Sequence, residues 1–169
     1  EHSYRDIPVE HFEESYIDER HLSDAQCWKF FDLLKSAKKP LFYLGGGVNS
    51  KKGATAIKGF NKRFNIPSVN TLMGKGVVDE NENLGMLGMF GTPYANTIIQ
   101  ENDFFFALGV RWDDRVAEKV GFGVKADIAY IDINSEKMHQ IRSERTPKFT
   151  FIGDAASALE DLTDYANRN

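Results

Sequence analysis

The stretch FFFALGVRWDDR, residues 104–115, decides how the rest of the chain is read. Five apolar residues, Phe104 to Leu108, stop at Gly109, and Arg111, Asp113, Asp114 and Arg115 follow within one short loop. An apolar run this short fits a strand buried on both faces, the kind found in parallel sheets covered by helices. An exposed turn has no need of so dense a charge cluster. A loop at the carboxyl end of a buried strand, facing an anionic ligand, can use all of it. Arginine forks grip phosphate through paired charge-assisted bonds, each worth about 1.5–3 kcal/mol. The aspartates can orient the arginines or accept from ribose hydroxyls. A local Asp–Arg salt-bridge loop with no ligand is the competing reading.

Working outward, the same grammar repeats. Ser23 and Gln26 form a capping box ahead of Trp28, Phe30, Phe31, Leu33, Leu34 and Ala37, which predicts an amphipathic helix stopped by Pro40. A strand over Leu41–Leu44 runs into Gly45-Gly46-Gly47, and a helix follows around Gly53–Phe64. Next come a strand at Pro67–Thr71, a long loop through Gly91, and a helix from about Thr92 to Gln100, with Pro93 at its first position. After Asp103–Leu108 the pattern predicts a strand at Asp127–Ile133, a short helix from Ser135, a strand at Phe149–Ile152 and a last helix at Asp154–Asn167. Strands that alternate with helices, almost wholly apolar and closely joined, predict a three-layer, Rossmann-like α/β domain: a parallel sheet with helices on both faces.

Composition sets the outer bounds. The 169 residues are 41% hydrophobic with thirteen phenylalanines, enough for one packed core. A net charge of −4 without any basic stripe argues against a nucleic-acid groove. No apolar run approaches the roughly 20 residues of a membrane span, and the acidic start does not resemble a signal peptide. Cys27 is the single cysteine and reads as a buried thiol in a reducing compartment. His2, His11, His21 and His139 lack ligand spacing, so no metal site is expected. These features predict a soluble, cytoplasmic domain. Residues 1–22 are charge-dense and aperiodic and read as a linker packing only at Ile7, Val9, Phe12 and Tyr16, with residues 23–169 forming the domain. A natural disordered tail is the other reading of that segment.

In parallel sheets ligands gather at the carboxyl ends of the strands, so the residues just after each strand are the test. Gly45, Gly46 and Gly47 permit close backbone approach to a phosphate, although GGGVNS is neither a dinucleotide fingerprint nor a Walker loop. A tight strand-to-helix turn explains them as well. Thr71, Leu72 and Met73 lead into a flexible Gly-Lys-Gly. Leu87, Gly88, Met89, Phe90, Gly91 and Thr92 precede a helix, where capping alone is the plain account. Gly109, Val110, Arg111, Asp113 and Arg115 form the charged loop, and Asp132 with Ile133 ends a later strand, where a carboxylate can take ribose hydroxyls. Four ligand-compatible strand ends among five point to a nucleotide crevice.

The order LGGGV, NTLMGKG, LGMLGMFGTPYAN, GVRWDDRV, IDIN and GDAASALEDL resembles the central domain of acetolactate synthases, which are thiamine-diphosphate enzymes. The resemblance runs from about residue 38 to residue 163, and RDIPVE near the start is similar to the close of that family's N-terminal domain. It implies an FAD site that takes no redox part in the main reaction, contacted by Gly45, Gly46, Gly47, Thr71, Leu72, Met73, Leu87, Gly88, Met89, Phe90, Gly91, Thr92, Gly109, Val110, Arg111, Asp113, Arg115, Asp132 and Ile133. It further implies a parent that condenses pyruvate with a second 2-oxo acid in branched-chain amino-acid biosynthesis. Thiamine diphosphate and magnesium would be held by N- and C-terminal domains outside this chain. The parent would be a homo-oligomer open to a regulatory subunit.

Two positions depart from the family pattern. Phe90 stands where the family usually has histidine, replacing a hydrogen-bonding ring by one that can only stack, and Trp112 stands where it usually has phenylalanine. Gly153-Asp154 is followed by Ala155, so the GDG of the magnesium and diphosphate site is not found here, and no catalytic residue is expected in this chain. Three alternatives stay open: a related thiamine-diphosphate enzyme whose central site takes ADP, coenzyme A or nothing; a stand-alone nucleotide-binding module; and, last, a nicotinamide dehydrogenase.

Overall fold

The computed structural model describes residues 20–112 and 126–169. The charged residues Asp113 and Arg115, and the linker expected over 1–22 apart from its last three positions, lie outside the described residues.

Helix α1 (Asp24–Ser36) starts where the capping box places it: Ser23 Oγ accepts from the Gln26 amide at 3.3 Å, and the Gln26 side chain accepts from the Ser23 amide at 3.0 Å. The remaining elements are β1 (Pro40–Leu44), α2 (Lys51–Phe64), β2 (Ser68–Asn70), β3 (Asn83–Met86), α3 (Pro93–Glu101), β4 (Phe104–Leu108), β5 (Asp127–Asp132), α4 (Ser135–Arg145), β6 (Phe149–Ile152) and α5 (Ala155–Arg168). Side-chain caps open the later helices: Ser50, Thr92, Asn134 and Asp154 each accept from an amide of the first turn. Asp154, expected inside the last helix, is its cap.

The six strands are parallel and lie in the order β3-β2-β1-β4-β5-β6. The chain builds outward from β1 to one edge, then returns to the centre with β4 and builds to the other. Between β1 and β4 the direction of winding reverses, and there the flanking connections part to leave a crevice.

Alternation along the strands supplies both cores. Phe42, Leu44, Phe104, Phe106, Leu108 and Ile131 face α1, α2 and α5, while Leu41, Tyr43, Phe105, Ala107, Ile128 and Tyr130 face α3 and α4. Phe30 of α1 is the hub of the first layer. Its ring lies 4.6 Å from Phe106, 5.6 Å from Phe149, 5.8 Å from Phe104 and 6.3 Å from Phe60, centroid to centroid. Most of these pairs are edge-on, the arrangement that ring quadrupoles favour.

Strand β3 was not expected; its residues fall within the long loop of the sequence reading. It is an edge strand, its four residues are only half-buried, and Gly85 sits at φ 108°. Neither alternation nor branched residues mark it. Polar bonds hold it instead: Ser68 Oγ donates to the Glu82 carbonyl at 2.9 Å, and Asn83 Nδ2 donates to Asn70 Oδ1 at 2.7 Å.

Truncating Phe30 to alanine removes the ring common to these contacts and is expected to lower the unfolding free energy by about 3–5 kcal/mol. The same change at Trp28, on the solvent side of α1 and 60% exposed, should stay within about 0.5 kcal/mol. Urea titration of both variants measures the contrast.

Candidate functional site

The floor of the crevice is backbone against backbone. The Gly45 amide donates to the Leu108 carbonyl at 3.0 Å, the Gly47 amide to the Gly109 carbonyl at 3.1 Å, and the Gly109 amide to the Ile131 carbonyl at 2.9 Å. A Cβ at Gly45 would stand 2.0 Å from the Gly109 oxygen; one at Gly109, whose φ is 58°, would stand 2.5 Å from the Gly47 Cα. Main-chain contact between the ends of β1 and β4 therefore requires Gly45 and Gly109, and no ligand need be invoked for them. Gly46 and Gly47 are exposed at the surface of that floor.

Two chambers open on it. The larger, about 630 Å³, is mainly apolar and is bounded by Tyr43, Thr71 to Met73, Met86 to Phe90, and Trp112. The smaller, about 270 Å³, carries the charged or polar side chains of Asp132, Asn134, Lys137 and Asp154 beside Ile133 and Ala155, and we call it the polar chamber for them, although apolar atoms make up most of its surface too. Gly47, Gly109 and Arg111 border both. Thirteen of the nineteen expected residues thus line one chamber or the other. Gly45, Gly91, Thr92 and Val110 do not: Gly45 backs the floor, Val110 is buried behind it, and Gly91 and Thr92 form the corner that starts α3. Asp113 and Arg115 lie outside the described residues.

Each wall has a local cause. Thr71 Oγ1 caps the turn Leu72–Gly74 by accepting from the Gly74 amide at 3.2 Å, and Asn49 Nδ2 ties that turn down through the Met73 carbonyl at 2.8 Å. Across the chamber the Asn96 side chain clamps Gly88 at both ends, accepting from its amide at 3.0 Å and donating to its carbonyl at 2.9 Å. These turns leave Leu72, Met73, Met89 and Phe90 at 71%, 66%, 59% and 83% exposure around the rim. Four large apolar side chains standing in water around one cavity mark a surface made to be covered. Phe90 is the most exposed of them and offers ring area only.

At the back of the apolar chamber Trp112 is buried and lies edge-on to Tyr43, Phe105 and Tyr130 at 6.0, 5.7 and 5.9 Å. Its φ of 52° is left-handed, a conformation that costs a non-glycine residue on the order of 1–3 kcal/mol. The turn at Trp112 leaves Arg111 exposed at the boundary between the chambers.

Asp132, at the end of β5, accepts from the Asn134 amide at 2.8 Å. Burial raises its carboxyl above the ordinary range, while the Asn134 amide, the Tyr130 hydroxyl and the Arg111 charge pull it part of the way back. Among the described residues no group of three or more His, Cys, Asp or Glu side chains is placed to hold a metal ion.

Tyr43, Met86, Trp112, Asn134, Lys137, Asp154 and Ala155 are lining residues that the sequence reading did not assign. Trp112 was noted only as a substitution. Asn134, Asp154 and Ala155 carry a usable signal, since each lies within three residues of the end of a predicted strand. Lys137 gave none, because its place depends on how α4 leaves β5.

The molecule is thus a doubly wound parallel α/β domain with a two-chambered crevice at its switch point. Its sequence matches the family described as "Thiamine pyrophosphate enzyme, central domain" over residues 28–162, and the chain belongs to that family. Among its relatives, the acetolactate synthase of Arthrospira platensis is 43% identical over 136 residues, covering 77% of this chain and 23% of the relative. The acetolactate synthase large subunit of Porphyra purpurea is 35% identical over 140 residues, covering 81% and 23%. The chloroplastic acetolactate synthase of Arabidopsis thaliana is 38% identical over 143 residues, covering 82% and 20%. The chain is a central domain of the acetolactate-synthase-like type, and it spans less than a quarter of the length of these curated relatives.

Gly109→Ala is expected to destabilise the fold severely, because its Cβ meets main chain and its φ is left-handed. Gly59→Ala on the open side of α2, where nothing lies within 4 Å, should stabilise by about 0.4–1 kcal/mol. Thermal denaturation separates the two.

Asp132→Asn has an opposite sign at neutral pH from what loss of a buried contact would give. The folded-state pKa lies above the unfolded value, so the native state holds the proton more tightly, and the contribution of Asp132 to stability is lost as pH rises through the folded value. The asparagine variant should be the more stable protein at neutral pH, with the gap closing on acidification, as read by urea midpoints across pH.

Proposed function

We propose that the crevice holds FAD, with the flavin ring in the apolar chamber, the pyrophosphate at Arg111 and the adenosine in the polar chamber. The observation that carries this reading is the pair of chambers sharing Gly47, Gly109 and Arg111 at the switch point of the sheet, one walled by Leu72, Met73 and Met89 and the other carrying Asp132, Asn134, Lys137 and Asp154. A ligand with an apolar planar end, a doubly anionic middle and a hydroxyl-rich end matches that sequence of surfaces. When bound, the flavin supplies a rigid planar body against the Leu72, Met73 and Met89 side chains. Arg111 contributes a guanidinium fork at the join, and the Asp132 carboxylate accepts from ribose hydroxyls. Gly46 and Gly47 leave the floor bare enough for close approach. Phe90 offers its ring for stacking where a histidine would also donate a hydrogen bond.

The whole protein, in this reading, is a thiamine-diphosphate enzyme that joins pyruvate to a second 2-oxo acid. Thiamine diphosphate and magnesium sit in its other parts, and its subunits form homo-oligomers open to a regulatory subunit. The part played by residues 23–169 is to bind and to brace, with residues 1–22 as the connection to an N-terminal domain. No helix among the described residues is long and apolar enough to cross a membrane. We place the protein in the cytoplasm, where Cys27, buried and pushed up to about 11, stays an unreactive thiol.

Calorimetric titration of the chain with FAD, ADP, coenzyme A and NAD tests this reading. Saturable FAD binding with a perturbed flavin spectrum is expected. Preference for ADP or coenzyme A would instead assign the polar chamber alone and move the protein to a sister enzyme. Arg111→Ala, at an exposed position, should weaken FAD about tenfold to a hundredfold while leaving the melting temperature nearly unchanged. Equal losses of binding and stability would count against the assignment.

A further inference from the structure

We infer that Asn96 is the positioning residue of the apolar chamber: its side-chain amide, paired with the Gly88 main chain, holds the turn that presents Met89 and Phe90 and so sets the fit of a planar ligand there. This inference rests on the flavin reading of the site and adds to it a residue behind the wall. Asn96 belongs to α3, is half-buried and is not among the residues lining either chamber, whereas Gly88, Met89 and Phe90 all line the larger one.

The turn has little of its own to hold it. The Leu87 amide donates to the Asn70 carbonyl at 3.0 Å, and β2 ends at that residue, so the ladder goes no further. Gly88 follows, buried and at φ 105°, a backbone region that glycine enters without strain and leaves as easily. The Gly91 amide closes the turn by donating to the Gly88 carbonyl at 2.9 Å, with Met89 and Phe90 at the two central positions. The exit is fixed by main chain: the Thr92 amide donates to the Met86 carbonyl at 2.9 Å, and a Cβ at Gly91 would stand 2.2 Å from that same oxygen. The entry is fixed by Asn96.

An asparagine side chain carries the donor and the acceptor of a peptide group. Asn96 Oδ1 accepts from the Gly88 amide at 3.0 Å and Nδ2 donates to the Gly88 carbonyl at 2.9 Å, so the amide pairs with Gly88 as a further strand would. Leaving a buried N–H such as that of Gly88 unpaired is costly. Nothing in the helix itself calls for this residue, since asparagine is a poorer helix former than alanine and Thr92 already caps α3. Met89 and Phe90 are exposed, so the backbone that carries them decides where they face. The polar chamber is built from the ends of β5 and β6 and the starts of α4 and α5, on the far side of β4 from this turn. A displaced turn therefore alters the flavin end of the crevice and leaves the nucleotide end as it is.

Calorimetric titration of the 169-residue chain with FAD and with ADP, before and after Asn96→Asp, tests the inference. Aspartate keeps the shape and the acceptor for the Gly88 amide but sets a second oxygen against the Gly88 carbonyl. Its charge falls near the start of α3, where the helix dipole favours it. The helix is spared and the turn is not. The FAD dissociation constant is expected to rise about fivefold to tenfold, with that of ADP changing by less than about twofold and the urea midpoint close to that of the unaltered chain. Equal weakening of FAD and ADP, or no change in either, would overturn the inference. Asn96→Ala, a better helix former, removes both bonds, and hydrogen exchange at the Gly88 amide should quicken about tenfold or more while the β4 amides stay protected. If the unaltered chain binds no FAD, the flavin reading fails and exchange decides the positioning role: quickened exchange at Gly88 upholds it, and unchanged exchange rejects it.

Discussion

The contact on which the site depends is the meeting of two strand ends, where Gly45 and Gly47 lie main chain to main chain against Gly109. Side chains at Gly45 or Gly109 would force β1 and β4 apart at their carboxyl ends. The crevice would then lose its floor, and Arg111 its place above it. Burial on both faces of the sheet makes this contact possible, since Leu44 and Leu108 are paired in register one residue earlier. The aromatic layer around Phe30 fixes the strands from one side, and the Tyr43, Phe105, Trp112 and Tyr130 group fixes them from the other. The proposed site thus lies at the point where the fold can least tolerate a side chain.

The same region stores the costs that the core offsets. Trp112 is held in a left-handed conformation, and Asp132 is kept half-buried with its carboxyl raised by desolvation. Four apolar side chains stand exposed around the larger chamber. These departures from local rules of stability gather around one crevice, which supports the proposal that it is a binding site.

Much of this was legible in the residues. The capping box at Ser23 and Gln26, the Thr92-Pro93 helix start and the apolar run Phe104–Leu108 each act through local chemistry, and each element stands within a residue or two of its expected place. The sheet's layers followed from alternation of apolar strands with amphipathic helices. Strand β3 was not legible, because an edge strand with a left-handed glycine is held by Asn and Ser side chains rather than by an apolar face. The sequence leaves the glycines after β1 open between room for a ligand and a tight turn, and at Gly45 and Gly109 the room is taken by backbone. Tyr43 and Lys137 escape the sequence for different reasons: Tyr43 lies inside β1 and reads as core, and Lys137 reaches a chamber wall only through the way α4 leaves β5.

The departure at Phe90 takes on a different weight once its place is known. A histidine on that rim would add a donor at a position 83% open to water, where a hydrogen bond competes with solvent and contributes little. A phenylalanine there keeps the stacking area and gives up only that donor. The polar commitments of the crevice, Arg111 and Asp132, lie at the boundary and in the polar chamber, away from the rim. On the proposed flavin reading, ligand identity would be set by the join between the chambers more than by the residue at the mouth, and Phe90 leaves that proposal standing.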